Sequence, residues 1–145
     1  MLPIPGIKLG LANIVTLFAL LYLPPKDTFF ILIGRILLGS MFAGNPSILL
    51  YSLSGGIFSL ITEILLLKLT GREFIVEISI SGALTHNITQ LLCAALITHS
   101  TAVFTYLPIL LVVAVLTGAL CGLCILGIDK RFSSDIIKIL NKNRK

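Results

Sequence analysis

"LPILLVVAVLTGALCGLCILGI", residues 107–128, carries no charged side chain from end to end, and this stretch decides the class of the protein. A hydrocarbon layer about 30 Å thick is crossed by roughly 20 apolar residues in helical form, and only helices or closed barrels satisfy their backbone there. Working outward toward the N-terminus, four further apolar stretches appear, with cores at about Gly6–Leu23, Thr28–Ala43, Ser47–Leu69 and Ile78–Thr98. They are separated by "PPKD" (Pro24–Asp27), "GNP" (Gly44–Pro46), "TGRE" (Thr70–Glu73) and the polar run around His99, all good turn material. With 57% apolar and 12% charged residues and a mean hydropathy of +1.08, the chain reads as an all-α, polytopic membrane helix bundle with five transmembrane helices over residues 1–129.

Residues 130–145 form a basic tail. Within it "SSDIIKILNKNRK" pairs a helix-start signal at Ser133–Asp135 with Ile136, Ile137, Ile139 and Leu140 among lysines. The expectation is a short amphipathic helix lying on the inner membrane surface and held there by anionic lipid.

Orientation follows from the cations, which are retained on the cytoplasmic side near helix ends. Lys26, then Lys68 and Arg72, then Lys130, Arg131, Lys138, Lys142, Arg144 and Lys145 fall on alternate connections, while the "GNP" and His99 turns have none. The C-terminus is therefore expected inside and the N-terminus of this chain outside. An outside start with nothing to carry it across implies a six-helix parent whose first helix is missing here.

Other classes lose ground. The net charge of +5 is accounted for by topology and not by a basic patch interleaved with aromatics, so nucleic acid is not an expected partner. Cys93, Cys121 and Cys124 all lie in apolar runs, unlike a disulfide framework or a metal site. No G-x-x-x-x-G-K-[ST], H-E-x-x-H or G-x-S-x-G run occurs, and no cofactor is expected. Asp27, Asp129 and Asp135 are scattered, whereas a prenyl transferase clusters aspartates to hold magnesium against a diphosphate. The chain leans away from being an enzyme by itself.

Polar side chains inside a bilayer are costly and mark sites or pathways. In the second and third spans, Arg35 and Glu63 sit at similar depths, roughly 10 and 9 Å from the inner surface at about 1.5 Å per residue, and are expected to form an intramembrane ion pair. In the fourth, "SGALTHNITQ" puts Ser79, Gly82, His86 and Gln90 on one helix face with Asn87 beside it, a hydrogen-bonding stripe that lipid would not satisfy. Near the start, Lys8 stands at the outer mouth above Asn13 and Thr16, a lining suited to a polar or anionic small molecule. Gly6 and Gly10, Gly55 and Gly56, and Gly118 and Gly122 are small-residue devices for close helix packing.

"PIPGIKLGLANIVTL", an arginine ahead of "LLGSMFAG", "SLSGGIFSL" and "SGALTHNITQ" together resemble the Gx transporter family, also described as heptaprenyl diphosphate synthase component I. Its members look like the substrate-binding subunits of energy-coupling factor transporters. The resemblance implies a bacterial inner membrane, a six-helix fold and a small-molecule substrate captured from outside. It also implies a transmembrane scaffold and two ATPases as partners. It makes Lys8, Asn13, Arg35, His86, Asn87 and Gln90 candidates for substrate contact. The synthase description implies instead a soluble prenyl synthase partner and a role in isoprenoid metabolism. A structural membrane scaffold is the remaining reading.

Overall fold

The computed structural model describes the backbone of residues 5–43 and 46–142, with side chains over residues 13–42 and 47–133. Five α-helices follow one another: α1 (Pro5–Tyr22), α2 (Pro25–Ala43), α3 (Pro46–Thr70), α4 (Ile75–Thr98) and α5 (Leu107–Lys142), with no strand among the described residues. The breakers act as boundaries for identifiable reasons. Pro25 and Pro46 open α2 and α3, where a missing N–H is harmless and the fixed φ already suits a helix. The Pro24 carbonyl accepts from the amides of Asp27 and Thr28 at 3.0 and 3.1 Å, tightening the turn between α1 and α2.

Gly71 ends α3 at φ 80°, a left-handed conformation that costs glycine little, while its N–H donates to the Leu67 carbonyl. A single 3-10 turn at Arg72–Phe74 then leads into α4. At the far end of α4, His99 takes a left-handed conformation at φ 49°, and a 3-10 segment, Thr101–Tyr106, connects to α5.

Helix α4 packs along both α3 and α5, α2 lies against α3, and α1 closes the bundle by touching α5 and α2. Glycines set these distances. A Cβ placed on Gly118 would fall 2.7 Å from the Ile80 Cα, and one on Gly122 would fall 2.7 Å from the Val76 Cα, so α4 and α5 meet backbone to backbone. Gly55 admits His86 and Gln90 against α3, and Gly56 admits Leu32 and Ile36 from α2. Gly6 and Gly10 lie in the first turns of α1, outside the residues whose side-chain packing is described.

The distribution of side chains is that of a protein in lipid. Phe42, Leu69 and Leu96 are 90%, 80% and 74% exposed, whereas Glu63 is 0% exposed and Thr16, Ser59 and Ser79 are 1%. Charged residues are almost never fully buried in soluble folds, and an apolar exterior around a polar interior is what a bilayer selects. Among the described residues, α3, α4 and α5 are long and apolar enough to cross a membrane, and Asn13–Tyr22 of α1 is a shorter apolar stretch.

One expectation is revised. No separate amphipathic helix begins at Ser133, because the backbone of α5 continues without a break for 36 residues, about 54 Å at roughly 1.5 Å per residue. Ser, Ser and Asp favour a helix start, yet no glycine or proline follows Gly127 to end the helix already running. The side chains of Ile136, Ile137, Ile139 and Leu140 lie outside the described residues.

Candidate functional site

The polar residues of the spans gather around Glu63. Asn13 on α1 donates its side-chain N–H to Glu63 Oε1 at 2.9 Å, and Ser59, one turn earlier on α3, donates to the same oxygen at 3.4 Å. On the α4 side there is no side chain in the way: Gly82 lies against the carboxyl group, and a Cβ there would overlap Glu63 Oε1. Glycine at position 82 is thus the seat of the glutamate, a role not evident from its place in the stripe. The expected direct ion pair is absent. Arg35 makes no salt bridge with Glu63 and its Nε has no hydrogen-bond partner, although its charge is near enough to act on both Glu63 and His86. Hydrogen bonds from neutral groups on two helices hold the carboxyl group instead.

His86 is buried beside the Gly55 backbone, and neither of its ring nitrogens makes a well-formed hydrogen bond. Gln90 is half-buried, with its Cγ packed on Gly55. Asn87 has a different task, donating to the Leu110 carbonyl at 3.1 Å and so tying α4 to α5. Lys8 lies outside the described side chains. Of the six residues proposed for substrate contact, Asn13, Arg35 and His86 lie in the Glu63 region, Gln90 flanks it on the side toward the His99 turn, and Asn87 joins helices.

A second cluster was not anticipated. At the other end of α1, Tyr22 donates to Asp129 on α5 at 2.6 Å, and Arg72 stacks over the Tyr22 ring at 5.7 Å while bonding the Leu21 carbonyl. Phe132 adds a ring contact to Tyr22 at 6.0 Å. These residues bring the end of α1, the start of α4 and the late part of α5 to one side of the bundle. Alternating charged turns hinted at that sidedness, but no spacing in the sequence linked Tyr22 with Asp129.

Compared with known families, residues 1–127 match the one described as Heptaprenyl diphosphate synthase component I. The chain belongs to the heptaprenyl diphosphate synthase component I family. No curated protein and no solved structure matches it. The component I match ends at Gly127, so it takes in every residue of the Glu63 cluster and stops short of the Tyr22 partners Asp129 and Phe132.

Proposed function

We propose that this chain is the membrane-embedded, non-catalytic component of a prenyl diphosphate-synthesising assembly. The observation that carries the reading is the family match, which spans all five helices up to Gly127. The residue inventory supports a division of labour. The aspartates are dispersed, and among the described residues no group of three or more His, Cys, Asp or Glu is suited to hold a metal ion. The prenyl transfer itself then belongs to a soluble, aspartate-rich partner. In this reading the bundle crosses the bacterial cytoplasmic membrane five times with its C-terminus inside. The Tyr22–Asp129 and Arg72–Leu21 contacts support that arrangement, since they bring together the ends assigned to the cytoplasmic side by their cations.

Co-expression with a soluble, aspartate-rich prenyl synthase of the same organism tests the assembly. The two are expected to co-purify from membranes, and the soluble subunit alone is expected to lose activity or make products of different length. Separate elution together with an unaltered product distribution rejects the reading.

A second reading, substrate capture for a transporter with a scaffold and two ATPases, is favoured by one observation: several buried polar atoms at the bundle centre lack partners. It predicts that a small polar molecule survives gentle extraction and is detected by native mass spectrometry. It further predicts that Asn13→Ala or His86→Ala releases that molecule while the bundle stays folded. Uptake unchanged by both substitutions speaks against it.

A further inference from the structure

Hydroxyl groups inside apolar helices usually donate to a carbonyl of the preceding turn. Thr62, Thr85 and Thr117 do so here, at 2.9, 2.9 and 2.8 Å to the residue four places back. Thr16 on α1 and Ser79 on α4 break this habit: each is 1% exposed, and each hydroxyl has no hydrogen-bond partner. The remaining carboxylate oxygen of Glu63, Oε2, is likewise buried and unpartnered.

The topology places the residues that bear these oxygens at neighbouring levels of the bundle. Helices α1 and α3 run toward the end of the bundle marked by Tyr22, and α4 runs away from it. Thr16 therefore stands one turn beyond Asn13, which bonds Glu63, and Ser79 one turn beyond Gly82, on which Glu63 rests. Both displacements are toward the same end. From α5, Gly122 lies against the Ser79 Cβ and Cys121 is within electrostatic reach of Glu63. Helices α1, α3 and α4 thus each carry one buried, unpartnered oxygen within about a turn of the Glu63 contacts.

We propose that Glu63 Oε2, Thr16 Oγ1 and Ser79 Oγ form a binding site for a dehydrated monovalent cation of the size of sodium. Hard cations take carboxylate, hydroxyl and carbonyl oxygens, and a single carboxylate matches a single charge where calcium sites draw several. A protein interior tolerates a carboxylate only with compensation, and the neutral donors Asn13 and Ser59 supply it to Oε1 alone. Among the described residues, Arg35 and Cys121 interact electrostatically with Glu63, and Arg35 also with His86. Arg35 opposes the cation, and this gives the proposal a distinctive sign. It stands independently of whether the chain serves a synthase or a transporter.

The test uses the full chain in nanodiscs of zwitterionic lipid, with thermal unfolding followed in sodium, potassium and choline chloride at equal ionic strength. Sodium is expected to raise the midpoint saturably above choline. Ser79→Ala and Thr16→Val should raise the half-saturating sodium concentration by roughly tenfold each, Glu63→Gln should remove the effect, and Arg35→Gln should lower the half-saturating concentration. Equal midpoints in all three salts overturn the proposal, as that result leaves only ordered water among the oxygens. A sodium effect that survives Glu63→Gln or vanishes in Arg35→Gln, or a potassium effect as large as sodium's, also overturns it. Should a variant fail to fold, saturable binding of radioactive sodium to the unsubstituted protein, displaced by unlabelled sodium and not by choline, decides the matter; no binding sinks it.

Discussion

The seam between α4 and α5 and the polar centre around Glu63 are close neighbours built on opposite principles. At the seam, Gly118 and Gly122 remove side chains so that two backbones touch. The Asn87 bond to the Leu110 carbonyl lies nearer the His99 turn, and at the two glycines the contact rests on shape. At the centre, Asn13, Ser59 and Glu63 spend hydrogen-bonding capacity in a place where lipid offers none, and Thr16, Ser79 and His86 are left without well-formed bonds. A bundle needs only the first arrangement to assemble in a membrane. The second destabilises it unless a bound species or a partner compensates, which is why we place function there.

The contrast is open to attack by substitution. Gly118→Leu is expected to have the largest effect, since even its Cβ would meet the Ile80 backbone, which cannot yield as a flexible side chain would. Overpacking of this kind costs about 1–3 kcal/mol and occasionally more, and size-exclusion profiles in detergent should show loss of the monodisperse species. If Gly118→Leu elutes normally, the seam is not the framework it is taken to be. Gly82→Ala should come next, because its methyl group displaces the Glu63 carboxyl group. A lower thermal midpoint is expected there, and the drop should shrink when Glu63→Ala is added, a double-mutant coupling that Gly118 would not share. Asn13→Leu leaves Glu63 Oε1 with Ser59 alone, a loss of about 1–3 kcal/mol if no water enters, read as a reduced unfolding midpoint. Tyr22→Phe, which cuts the exposed bond to Asp129, should cost below about 1 kcal/mol. The sign should reverse at Gly34, where a methyl group meets nothing within 4 Å; Gly34→Ala is expected to stabilise by roughly 0.5–1 kcal/mol through helix propensity alone.

Apart from the far end of α5, helix placement was legible in the sequence to within a few residues, since hydropathy and the breakers Pro25, Pro46, Gly71 and His99 act locally. The paired glycines Gly118 and Gly122 also announced their use. Partner choice was far less legible. Depth along a helix can be counted from its end, so Arg35 and Glu63 looked matched, but hydrogen bonding depends on the azimuth of each helix and on what stands between. That azimuth is set by packing across long sequence separations, and Asn13 reaches Glu63 over 50 residues of chain while Tyr22 reaches Asp129 over 107. Ser133–Asp135 misled for another reason: capping residues start a helix only where the preceding one has stopped.

The unbroken course of α5 bears on how the two faces of the membrane communicate. Its first half is pressed without clearance against α4, which carries His86 and the seat of Glu63, and its last turns extend past the Tyr22 contact. A stiff strut clamped along one half cannot be tipped at its other end without shifting what it is clamped to. Any protein that grasped those final turns would hold a lever on the bundle's interior, and would feel in return whatever enters or leaves there.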